Sequence, residues 1–231
     1  MTAVISKPRE APQRLKISYE EYLDFATTSQ IVEWVDGEAI TYMPPIFEHQ
    51  SIAGFLFSLL NTFVRQFELG EMIVAPFEVK LWPDGPSREP DIIYISQNNL
   101  QNLTDKRFVG APDLLVEVIS PGSVTEDRVR KFTEYEQAGV LEYWLIDPRQ
   151  RQKQVDCYVL GEDGEFHDAA VGEDGRYHAA ILPHFWFQID WLWQEKLPNP
   201  QLALAEILLT VPTLSAEARQ VYKSLYKLLH K

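Results

Sequence analysis

Between residues 48 and 69 the apolar positions Ile52, Phe55, Leu56, Leu59, Leu60 and Phe63 recur at helical spacing. This predicts a long amphipathic helix with Glu48 and His49 in its first turn and Gly70 as its C-terminal cap. Ahead of it, Ser18 followed by Glu21 makes a capping-box pattern that opens a short helix over 19–26. The β-like runs IVEWV and EAITY come next. The Asp36-Gly37 pair between them predicts a hairpin, because both central turn positions need positive φ. Pro44-Pro45 ends it.

Downstream the period becomes strand-like. Residues 72–82 and 90–96 read as strands around the turn PDGPSR, and 98–109 as a polar loop. Residues 113–120 form a nearly continuous apolar run interrupted by Glu117, the mark of a strand covered on both faces. Ser123 and Glu126 make a second capping box, opening a helix to about Ala138 that Gly139 closes. With a further strand at 141–146 this is a βαβ unit, whose two strands should run parallel. The runs 155–160, 165–171 and 177–182 suggest a meander extending the sheet. Trp186, Trp191 and Trp193 read as core or interface aromatics, since no basic residues interleave them as in a base-stacking platform. Residues 201–209 and 215–230 read as amphipathic helices, the last packing on its own domain or meeting a partner.

The length of 231 residues suits one sizeable core. We expect one domain over 15–195, between a flexible tail at 1–14 and a helical extension at 196–231. No apolar run reaches signal-peptide or membrane-span length, and Cys157 has no second cysteine to bridge. A cytoplasmic protein with no membrane partner is expected. The net charge of −13 repels nucleic acid, so DNA contact would need local basic clusters: Arg128, Arg130 and Lys131, or Arg149, Arg151 and Lys153. The ordinary account of these clusters is a solvated helix face and a charged loop.

Carboxylates inside strand-like runs need a partner or a metal to offset lost hydration, which singles out Asp91 and Glu117. Alternation puts Leu115, Glu117 and Ile119 on one face of their strand. On the following helix Asp127, Lys131 and Tyr135 fall at four-residue intervals, so Lys131 can approach Glu117 if that stripe covers the sheet. Two carboxylates and an amine suit Mg²⁺- or Mn²⁺-assisted phosphodiester hydrolysis. The same residues also fit structural roles: Asp91 capping a turn, Glu117 paired with an arginine, and Asp127 with Lys131 as an exposed ion pair. His49 reads as a capping or surface residue or as a site residue. No other cofactor motif is present.

Pro90-Asp91, Glu117 in EVIS, and the run DRVRKFTEYEQAGVLEYWLIDP resemble the Uma family of restriction-endonuclease-like proteins, a branch of the PD-(D/E)XK nuclease superfamily. The resemblance implies an α/β fold with a central mixed sheet flanked by helices, an N-terminal hairpin and C-terminal helices. It further implies an endonuclease, acting on DNA, with Asp91 and Glu117 as metal ligands. The superfamily's lysine would fall at position 119, where this chain has Ile119; Lys131 matches the lysine that replaces it in the family. Tyr135, Glu48, His49 and Asp127 are candidates to support that set. A nuclease fold kept as a binding or assembly module, or a hydrolase of a small phosphodiester, are the alternatives. A homodimer is expected, since two cuts on a duplex suit two-fold symmetry.

Overall fold

The computed structural model describes residues 12–26 and 31–230. It opens with β1 (Gln13–Lys16), α1 (Tyr19–Phe25) and the hairpin of β2 (Val32–Val35) and β3 (Glu38–Thr41). Ser18 and Glu21 close the expected capping box, and Asp36 (φ 51°) and Gly37 (φ 78°) supply the two left-handed turn positions. β1 pairs with β3 although its side chains are exposed, so backbone pairing alone marks it and no apolar pattern announces it. It begins inside the segment expected to be a tail; residues 1–11 of that tail lie outside the described residues.

α2 (Phe47–Gln66) is the long helix, but Gly70 does not cap it. Glu68 takes the left-handed turn (φ 52°), while Gly70 starts β4 (Gly70–Val74), where a Cβ would collide with the Ile95 carbonyl oxygen. Close backbone approach, not a cap, requires that glycine. The strand expected over 72–82 is two strands, β4 and β5 (Glu78–Lys80), divided at Pro76, which has no amide proton for a ladder. The turn PDGPSR contains β6 (Ser87–Arg88), and the expected polar loop contains a 3₁₀ turn and β8 (Arg107–Val109), after β7 (Ile92–Ser96).

β9 (Leu114–Val118) and β10 (Glu142–Asp147) are parallel, as expected, and α3 (Phe132–Ala138) lies on the connection between them. β11 (Gln154–Leu160) and β12 (Phe166–Asp168) follow, then β13 (Arg176–His178) and β14 (Trp186–Gln188). The strands form two six-stranded mixed sheets, not one: β1-β3-β2-β6-β5-β8 and β12-β11-β10-β9-β7-β4. The meander lends β11 and β12 to the second sheet, while β13 and β14 make a separate ribbon.

Both faces of the second sheet are covered. On one, Leu114, Val116, Val118, Trp144 and Ile146 pack with α2 and with α4 (Pro200–Thr210). On the other, Leu115, Ile119, Tyr143 and Leu145 pack with Tyr135 of α3 and with Val79 and Phe108 of the first sheet. α4 thus belongs to the main core: it buries Leu204, Ile207 and Leu208, each contributing roughly 1.5–3 kcal/mol. α5 (Ala216–Leu229) packs on α4 with no fully buried residue, and Arg219 donates to the Leu209 and Val211 carbonyls at its end. Trp186 and Trp191 pack with tilted rings, centroids 5.5 Å apart, within the core, which agrees with the structural reading of that cluster. Among the described residues no helix is long and apolar enough to cross a membrane.

Candidate active site

Asp91 stands one residue before β7, outside the strand, because Pro90 cannot pair. Its backbone carbonyl accepts from Ala75 N at 3.1 Å and its Oδ2 accepts from Val118 N at 2.7 Å, so both ends of the residue are fixed. His49 Nε2, from the first turn of α2, lies 3.2 Å from the same oxygen. Glu117 sits within β9 on the face covered by α3, 4% exposed. Its Oε1 accepts from Lys131 Nζ and from the Tyr135 hydroxyl, each at 2.8 Å.

Lys131 arrives on an unusual element. The second capping box does not form: Ser123 Oγ accepts from Ser120 N, and the Glu126 carboxylate turns to Arg88. In its place Glu126–Lys131 winds as a π-helix before α3 begins, a wide turn that often marks functional sites. Asp127 and Lys131 are 2% and 5% exposed and 3.4 Å apart, so their pair is buried and not a surface pair. The Asp127, Lys131, Tyr135 stripe does cover Glu117.

The first sheet contributes residues that the sequence analysis did not single out. Glu33, on β2, places Oε1 2.9 Å from Lys131 Nζ. Its Oε2 accepts from Arg88 at 2.8 Å and from the Tyr42 hydroxyl at 2.9 Å. Arg88 in turn grips Glu134 with two parallel bonds of 2.6 and 2.7 Å. Glu33 itself carries the same signal as Glu117, a carboxylate inside an apolar strand run. Glu48, by contrast, is exposed and does not line the site.

These charges compete. Burial alone would raise the Glu33 carboxyl, yet Lys131 and Arg88 outweigh it and hold the group at about 2. Burial works against the Lys131 ammonium, but Glu117 and Glu33 overcome that and keep it well above the usual lysine range. Glu117 is pushed well above the carboxylate range, by burial first and then by Asp127, Asp91 and Glu33, with Lys131 opposing. Asp127 rises to about 6 by burial, and Glu89 to about 8 by burial and the Glu33 charge. The His49 imidazole is raised: burial lowers it, and the Asp91 carboxylate more than restores it. The cluster holds more carboxylate than its cations neutralise.

Glu33, Glu89, Asp91, Glu117, Asp127 and Lys131 all line one cleft of about 430 Å³, roofed in part by Met43, Pro44 and Pro121. The family model described as "Uma2: Putative restriction endonuclease" matches residues 19–190. The chain belongs to the Uma2 family. The chain is similar in structure to a "putative nuclease belonging to DUF820 from Anabaena variabilis ATCC 29413", at 19% identity and a TM-score of 0.61 over 77% of this chain and 97% of that one. The fold is therefore restriction-endonuclease-like. No curated protein matches the chain.

The Uma2 cleft offers oxygen donors that suit a hard divalent cation. Hydrogen bonds and ion pairs fall on Oδ2 of Asp91 and Oε1 of Glu117, so among the described residues the second oxygen of each accepts no hydrogen bond. The described residues bring no three His, Cys, Asp or Glu side chains into a ready metal cage. That donor set fits an ion held by one or two carboxylates and completed by water and substrate oxygens, the habit of Mg²⁺.

Proposed function

We propose that the protein is a divalent-metal-dependent endonuclease that hydrolyses phosphodiester bonds in DNA. The observation that carries this reading is the delivery of the Lys131 ammonium, from a separate element, to within 2.8 Å of Glu117 Oε1 on the wall of the cleft that Asp91 also lines.

Asp91 and Glu117 would hold Mg²⁺ or Mn²⁺. When bound, the ion supplies Lewis acidity toward a phosphoryl oxygen and toward a water. The protein's own groups do the rest. Lys131, kept cationic by its carboxylate partners, orients the attacking water or steadies charge that develops on the phosphate. Glu33 and Asp127 fix the lysine's position, which a lysine on a separate helix needs. Tyr135 shares Glu117 Oε1 with it, and His49 keeps Asp91 Oδ2 engaged. Hydrolysis adds water across the P–O bond, and the leaving oxygen takes a proton.

Nicking of supercoiled plasmid with Mg²⁺ or Mn²⁺ tests this reading, run beside Asp91→Asn and Lys131→Ala. Activity abolished by both substitutions is expected. Nicking that survives Asp91→Asn would expose a contaminant, and cleavage of a small chromogenic phosphodiester without nicking would point to a small-substrate hydrolase. A homodimer, which would place two sites on a duplex by two-fold symmetry, is part of this proposal and is tested by sedimentation.

A further inference from the structure

The cleft is a poor place to grip DNA, since the carboxylates that line it repel phosphate. The parallel pairing of β9 and β10 offers an alternative next door, because both strands end on the same rim. The end of β9 builds the cleft, through Val118, Ser120 and Ser123. The end of β10 leads into the turn at 148–153. The Glu126–Lys131 winding joins the two: Asp127 and Lys131 line the cleft, whereas Arg128 bonds Asp147 Oδ2 at 3.2 Å and Asp156 Oδ2 at 2.7 Å.

There a shallow groove is lined by Arg128, Gln150, Arg151, Gln152, Lys153 and Gln154. Arg128 and Arg149 use up Asp147, and Arg128 also takes Asp156. Arg151 makes no ion pair or side-chain hydrogen bond among the described residues, and Lys153 meets the Trp193 carbonyl at 3.3 Å and its ring at 5.9 Å. Both are exposed. In a chain of net charge −13 this is a local surplus of cations, edged by Gln150 and Gln152, a residue type whose amide can donate to phosphate oxygens, while the Gln154 amide donates to Asp156 Oδ1.

We propose that this rim grips the phosphate backbone of the duplex beside the bond being cut, with Arg151 and Lys153 as its principal contacts. The identity of the ligand rests on the nuclease reading; the presence of the grip does not depend on turnover.

The test uses the full chain and a fluorescent 20-base-pair duplex of arbitrary sequence, with binding followed by anisotropy across a salt series, with Mg²⁺ and in parallel with EDTA. Arg151→Glu/Lys153→Glu should weaken binding at least tenfold at low salt. It should also reduce the slope of log K against log salt by about 2, one for each phosphate no longer neutralised. Hydrolysis of a small chromogenic phosphodiester should remain at the unaltered level, since neither residue lines the cleft. Unchanged affinity and slope in the double variant would overturn the proposal, as would absence of duplex binding by the unaltered protein. A protein that binds the duplex through this rim but hydrolyses neither substrate would support the grip while sinking the nuclease reading.

Discussion

Glu117 and Glu142 lie on neighbouring parallel strands, 4% and 0% exposed, each beside apolar and aromatic strand neighbours. Their surroundings differ. Glu142 accepts four neutral donors: the Tyr177 hydroxyl at 2.5 Å, Trp144 Nε1 at 2.6 Å, and the amides of Ala180 and Ile181 at 2.9 and 3.0 Å. Both of its oxygens are filled, and it ties the β13–β14 ribbon to the second sheet. Glu117 receives a cation and a phenol on one oxygen and has three further carboxylates raising its charge cost. Burial of a carboxylate therefore does not mark a site. An incomplete set of partners under electrostatic load does.

The largest expected effect separates the two by activity. Glu117→Gln should lower the nicking rate about 10³-fold, roughly 4 kcal/mol of transition-state stabilisation, while Glu142→Gln leaves the rate per folded molecule within about twofold. Initial rates of plasmid nicking decide it, and equal losses would break the comparison. Next comes the dependence on a cation. Lys131→Met leaves Glu33, Glu117 and Asp127 buried around no ammonium, so urea unfolding should show a loss of about 3 kcal/mol. Glu142 has no such partner among the described residues to lose, yet Glu142→Gln aims an amide donor at donors and should cost about 2 kcal/mol. A neutral Glu142→Gln would mean that its four bonds are dispensable.

The smallest effect concerns pH and adds Glu89 as a third case, half-buried beside Glu33 with its Oε2 accepting from Val32 N at 3.1 Å. Its folded value of about 8 lies above its ordinary 4.5, so the folded chain holds the proton more tightly than the unfolded one. The stability this supplies is complete below about pH 4.5 and is lost as pH rises through 8. Glu33 has the opposite sign: depressed to about 2, it stabilises above its ordinary 4.5 and loses that as pH falls toward 2. Glu89→Gln should raise the urea midpoint at pH 8 and leave it unchanged at pH 4. A midpoint lowered at pH 8 would show that the carboxylate, not the acid, is the form the fold prefers.

Sequence alone makes part of this visible. Strand alternation places Glu117 toward α3, and four-residue spacing places Asp127, Lys131 and Tyr135 on the covering stripe, because both patterns are local. Glu33, Arg88 and Glu89 reach the cluster through the pairing of β2 with β6, a long-range contact no period encodes. Glu48 and His49 share the first turn of α2, but adjacent helical residues point in different directions, and His49 is the one that turns inward. The single sheet expected from the strand runs becomes two because Pro76 divides one run between them. β1 is invisible in the sequence because an exposed edge strand leaves no apolar trace.

The π-helical winding at Glu126–Lys131 gives the chain a vulnerability of a kind different from any side-chain change. Each residue of a helical winding turns the chain by roughly a quarter turn, so deleting one residue between Thr125 and Arg130 would change which side chain faces the sheet beyond it. The deletion would then bring Phe132 toward Glu117 in place of Lys131, and a one-residue insertion would bring Arg130. Length, and not chemistry, is what must be kept in that short stretch: insertions and deletions there should be rarer among working relatives than substitutions at its exposed positions.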